Sequence, residues 1–148
     1  MTECHLTPNG MTLVAIDIAK DGHDVLVEPA SPARRRRFRM ANTIADYQRL
    51  ADYLRSTGAQ VLIGFEATGN YHRSLALFLD GQGFTLRLIP TLALARTREA
   101  MNNSWDKNDP RDAQVILHLL KTGLAKPGAT RYCRAPTMRR NCRNRIIK

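Results

Sequence analysis

The chain is poor in cysteine, tryptophan and long apolar runs, and each shortage excludes a class of protein. Only Cys4, Cys133 and Cys142 are present, near the two ends, an odd count that argues against a disulfide framework and fits a reducing cytoplasm. No Cys-x-x-Cys and no histidine pair at zinc spacing occurs, so a zinc site is not expected. No uncharged apolar run approaches the roughly 20 residues of a membrane span. The start, MTECHLTPNGM, lacks the basic opening and apolar stretch of a secretory signal, and Met11 is a candidate second start. Acidic charge is scarce as well, with 13 Asp+Glu against 23 Lys+Arg in 148 residues, for a net charge of +10.

The excess charge is confined to two places. Lys126 to Lys148 contains eight basic residues and no acidic one, which leaves 15 basic against 13 acidic residues before it. Five of those 15 are Arg34, Arg35, Arg36, Arg37 and Arg39. A nearly neutral body thus carries two basic segments, whose usual targets are phosphate-rich partners. Binding through them should fall steeply with salt. The bland alternative is a solubilising charge run.

Along the chain, TLVAIDIAK (Thr12 to Lys20) reads as a buried β-branched strand with Asp17 near its carboxyl end. KDGHD reads as a turn, Asp24 to Glu28 as a second strand, and Arg34 to Met40 as a third, whose basic composition suits an exposed edge. Asn42 or Thr43 can cap a helix with Ile44, Tyr47, Leu50, Ala51 and Leu54 at helical spacing, ended by Gly58. VLIGF, Val61 to Phe65, is a buried strand that ends at Glu66. A helix from Tyr71 to Asp80, a strand from Phe84 to Ile89, a helix from Thr91 to Met101 and a helix from Pro110 to Lys121 follow. A strand meander followed by βαβ units predicts an α/β fold: a mixed five-stranded sheet flanked by helices, the ribonuclease H-like arrangement.

Four carboxylates carry the functional signal. Asp17 and Glu66 each end a buried strand, and in this strand order the first and fourth strands are neighbours. Asp109 and Asp112 sit three apart at a helix start, within one turn of each other. Capping and helix-dipole roles explain that second pair about as well as a metal role does. Strand-end carboxylates have no capping duty, and the bland alternative for Asp17 and Glu66 is that both are exposed turn residues. Crowded together, such groups raise one another's pKa unless a cation neutralises them. Mg²⁺ favours hard oxygen ligands, and two ions about 4 Å apart can activate water and steady the leaving oxygen in phosphodiester cleavage. Lys20 and Lys107 flank acidic positions, Tyr71 is expected to pack against the sheet rather than stack on a base, and His72 and His118 are expected in core or surface roles.

The strings AIDIAK, FEATGNY and KNDPRDA, in that order, resemble the DEDD transposases of the insertion-sequence-110 type, the bridge-RNA recombinases. The resemblance implies a RuvC-like N-terminal catalytic domain over residues 12–126, with Asp17, Glu66, Asp109 and Asp112 as its metal-binding catalytic residues. It implies Mg²⁺ or Mn²⁺ as cofactor, and DNA, a structured guide RNA and further copies of the chain as partners, without a membrane. A prokaryotic cytoplasm is the expected location. Arg34, Arg35, Arg36, Arg37 and Lys107 are the expected nucleic-acid contacts. Members of the family continue into a second domain with a serine nucleophile, to which nothing here corresponds. The expectation is therefore a disordered segment over residues 1–11 and a basic tail over residues 127–148, disordered or frame-shifted near Pro127 to Thr130. Two alternatives stand beside this reading: a non-catalytic nucleic-acid-binding module of the same fold, and an actin-like ATPase half. The latter needs a Gly/Thr-rich phosphate loop where Asp17 is followed by Ile-Ala-Lys.

Overall fold

The computed structural model describes residues 10–66, 70–101 and 111–123, together with the backbone of 126–127. Strands β1 (Thr12–Ile18), β2 (Gly22–Glu28) and β3 (Arg36–Ala41) form the antiparallel meander that the short turns predict. Helix α1 (Ile44–Ser56) leads to β4 (Val61–Glu66), α2 (Arg73–Gly81) to β5 (Thr85–Ile89), and α3 (Thr91–Ala100) is followed by α4 (Arg111–Lys121). The pairs β1–β4 and β4–β5 are parallel. The sheet order is β3-β2-β1-β4-β5, extended at the far edge by β6 (Lys126–Pro127), two residues antiparallel to β5. This is the expected mixed sheet of five strands, with one short strand added.

Alternation along the strands divides the core in two. Val14, Ile16, Val25, Val27, Ile63 and Phe65 face α1 and α2, where Tyr47, Leu50, Leu54, Leu75 and Leu79 cover them. Leu13, Ala15, Leu26 and Leu62 face α4, which supplies Ile116 and Leu120. By the same period of two, Asp17, Asp24 and Glu66 project on the α4 side.

Several local devices fix the elements. Thr43, rather than Asn42, caps α1: its Oγ1 accepts the Asp46 N–H at 3.3 Å, while the Asp46 carboxylate accepts the Ala41 N–H at 2.7 Å. Asn42 has another partner. Its Oδ1 accepts from His23 Nε2 at 3.3 Å and from the Tyr47 hydroxyl, and its Nδ2 donates to the Lys20 carbonyl. Because Ala19 N–H donates to His23 Nδ1, the proton of this fully buried imidazole resides on Nε2. Burial holds the His23 pKa below its ordinary value, against the opposing hydrogen bond to Asn42. With both ring nitrogens satisfied, His23 enters β2, and the strand begins at Gly22, inside the stretch that reads as a turn.

Helix α4 is fastened to the sheet at three levels. At its N-terminal end Asp112 lies over the carboxyl edge. In its last turn, Leu120 fills the space left by Gly64, where an added Cβ would approach Leu120 Cδ2 to 2.7 Å. At its last residue, Lys121 Nζ pairs with Glu28 Oε2 at 2.7 Å.

Candidate metal centre at the carboxyl edge of the sheet

The site is assembled by strand direction. β1 and β4 run parallel with Ile16 opposite Phe65, so the next residues, Asp17 and Glu66, stand side by side on strands spaced by about 4.8 Å. Across the antiparallel pair on the other side, Asp17 is in register with Asp24, and Asp24 with Arg39. One transverse row therefore reads Glu66, Asp17, Asp24, Arg39 over four strands, all on the face covered by α4. Asp112, in the first turn of α4, adds a fourth acidic group from above.

The electrostatics reflect this crowding. The Asp17 carboxyl is pushed up to about 6, first by burial, then by the charges of Asp112, Asp24 and Glu66, with Arg98 opposing. Arg98, near the end of α3, donates to Asp112 Oδ1 from Nη2 at 2.6 Å and from Nε at 3.0 Å. A second carboxylate at the other end of α4 has the opposite fate. Burial would raise Glu28, but hydrogen bonds from Lys121 and Arg35 outweigh it and leave its pKa below the usual carboxylate range.

Of the expected site residues, Asp17, Glu66 and Asp112 come to one edge, and Asp109 and Lys107 lie outside the described residues. Arg34, Arg35, Arg36 and Arg37 are exposed at the outer edge of the sheet. Arg35 is paired with Glu28 at 3.1 Å, and the Arg36 guanidinium lies 5.1 Å from the centre of the Tyr53 ring. A cleft of about 250 Å³, lined by Arg36, Arg37, Arg39, Arg49 and Tyr53, runs between β3 and α1. A larger cleft, about 640 Å³, opens at the opposite end of the strands, beside Gly58, Gln60 and Gly83, away from the carboxylates. His72 packs on Phe65 in the core and His118 is exposed. Tyr71 does not pack against the sheet. It is 48% exposed, because the helix begins two residues later, at Arg73, and His72 takes the inward position.

Two participants have no place in the motif reading. Asp24 joins the row through antiparallel register, and Arg98 reaches Asp112 through contact between α3 and α4. The only sequence sign of Asp24 is its parity with Leu26 on the α4 face. Arg98 leaves no sign.

The donor chemistry fits a hard divalent cation, since the described groups offer carboxylate oxygens only. Their present positions do not close around one ion: among the described residues no three acidic or histidine side chains are placed to do so, and Asp112 is held by Arg98.

A mixed sheet with helices on both faces and acidic residues at the carboxyl ends of its central strands defines the ribonuclease H-like class. Thermus thermophilus RuvC has this fold: its structure superposes with a TM-score of 0.52 at 12% identity, covering 80% of this chain and 100% of RuvC. T. thermophilus RuvC in complex with Holliday junction substrate gives a TM-score of 0.51 at 10% identity, covering 80% and 99%. The family model for DEDD transposases of the insertion-sequence-110 type, described as "Transposase", matches residues 14–140, and the chain belongs to that family. The match continues past Lys126 into the basic tail. Comparison with curated proteins gives no match. No helix among the described residues is long and apolar enough to cross a membrane.

Proposed function

We propose that this chain is the metal-dependent catalytic domain of a DNA transposase, acting on phosphodiester bonds at the carboxyl edge of its sheet. The observation that carries the reading is Asp17. It is placed beside Glu66 by parallel pairing and under Asp112 by α4, in surroundings that resist its ionisation. A structural carboxylate is normally given a partner, and this one is given three more negative charges. When bound, Mg²⁺ or Mn²⁺ would neutralise the cluster and polarise a phosphodiester oxygen. Asp17, Glu66, Asp109 and Asp112 would hold it. The sheet fixes the first two rigidly, and α4 sets the height of Asp112 above them. The arginines at Arg34 to Arg37 stand toward the Glu28 end of the outer strand, away from the carboxylates, and with Lys107 they would grip nucleic-acid backbone that runs beyond the site.

A junction-bearing DNA is the substrate class that the RuvC complex suggests for this fold. A structured guide RNA, assembly of several copies and a separate serine-bearing domain belong to the same proposal, through the family. In that setting the 148 residues bind metal and nucleic acid, and strand exchange requires the serine supplied from elsewhere.

Calorimetric titration of the chain with Mn²⁺ tests the reading, beside Asp17→Asn and Glu66→Gln. Each substitution should weaken binding on the order of tenfold or more, about 1.4 kcal/mol per factor of ten. Unchanged affinity in both variants would refute the assignment and favour a nucleic-acid-binding module without chemistry.

A further inference from the structure

We propose that Arg98 is a built-in counter-ion of the carboxylate edge, holding Asp112 while no divalent ion is bound and competing with that ion for it. The inference rests on the reading of this edge as a cation site and adds a residue that no motif assigns. Arg98 comes from a different helix, yet two of its nitrogens converge on a single oxygen, Asp112 Oδ1, at 2.6 and 3.0 Å. On the sheet below, Asp17 feels the negative charges of Asp112, Asp24 and Glu66, and Arg98 is the positive charge that opposes them. In such company a fixed positive charge supplies locally what a metal would supply.

The chemistry of arginine makes this competition rather than titration. A guanidinium keeps its proton at any accessible pH, so it leaves Asp112 only by moving. Movement is easy here. Arg98 lies in the last turn of α3, its side chain is 44% exposed, and Asp112 is 36% exposed. An ion pair so open to water is weak and readily exchanged. Linkage requires the effect to be mutual: an ion that displaces Arg98 must bind more tightly once Arg98 is gone. A purely structural clasp between α3 and α4 has a different signature, lowering stability without touching ion affinity.

The test is Mn²⁺ titration of the 148-residue chain and of Arg98→Gln and Arg98→Lys, with thermal melts in the absence and presence of saturating Mn²⁺. Arg98→Gln should bind Mn²⁺ roughly two- to fivefold more tightly, the range left by loss of one exposed ion-pair competitor. Its melting temperature should fall below wild type without Mn²⁺ and draw level with it at saturation. Arg98→Lys, which keeps the charge but loses the two-nitrogen contact, should gain less, and it decides the matter if the glutamine variant does not fold. Equal or weaker affinity in the Arg98 variants, with wild type binding normally, overturns this inference alone. Absence of Mn²⁺ binding in every chain overturns the cation-site reading and the inference with it.

Discussion

Glu28 and Asp17 lie at opposite ends of the same sheet, under opposite ends of the same helix, and are treated in opposite ways. Glu28 receives Lys121 and Arg35, and its charge is favoured despite burial. Asp17 receives Asp24, Glu66 and Asp112, and its charge is resisted. The first arrangement stabilises the fold and fixes the lower end of α4. The second costs stability, which is how a region kept for chemistry is often distinguished from one kept for structure. The helix joins the two, because the contact that seats it on β4 also sets where Asp112 stands.

The comparison can be broken most strongly at that seat. Gly64→Val would drive a branched side chain into Leu120, with a first contact near 2.7 Å. The expected cost is about 3 kcal/mol, a fall in melting temperature on the order of 10 °C. Adding Leu120→Ala should recover part of it by clearing space. A melting temperature within about 2 °C of wild type for the single variant would show that α4 is not seated there.

Neutralising the two carboxylates in turn sharpens the contrast. Glu28→Gln should lower the melting temperature, by the equivalent of about 1 kcal/mol for a partly exposed pair network. Asp17→Asn, in metal-free buffer at pH 7.5, should raise it by a similar amount after allowance for solvent screening. The pH dependence has a definite sign. Folding raises the Asp17 pKa from 3.8 to about 6, so the folded form holds its proton more firmly, and stability from this group declines as pH rises from about 4 to 6. Melts of wild type and Asp17→Asn across that range should therefore diverge upward in favour of the variant. Parallel curves would remove the contrast.

The smallest effect concerns His23, which braces the turn after Asp17. Its pKa is lowered by folding, so the unfolded chain takes up a proton below about 6.5 while the folded one resists. Its contribution is complete above 6.5 and is lost as pH falls. In an Asp17→Asn background, His23→Gln should flatten the loss of stability between pH 7 and 5, read by thermal melts. An unchanged slope would show that another group titrates there.

Local pattern made much of this legible. The β-branched run at Leu13 to Ile18, the capped helix around Tyr47 and Leu50, and the strand ending at Glu66 all follow from hydrophobic spacing, and the strand order puts Asp17 next to Glu66. What escaped the sequence depends on distant contacts. Asp24 enters the row through hairpin register, Arg98 through packing of two helices, and His23 is buried because Ala19 and Asn42 happen to satisfy it. Tyr71 escaped for a local reason, a helix start displaced by two residues, which exchanges the inward position for the outward one.

The Gly64–Leu120 fit makes α4 a ruler. Leu120 and Asp112 are eight residues apart on one stripe of the helix, so the acid stands about 12 Å along the axis from the point where the leucine is gripped. Inserting one residue between them would swing the carboxylate by about 100° off its face, and inserting four would bring it back to within about 40° but lift it by about 6 Å. The sheet edge thus tolerates changes of residue along that interval far better than changes of length.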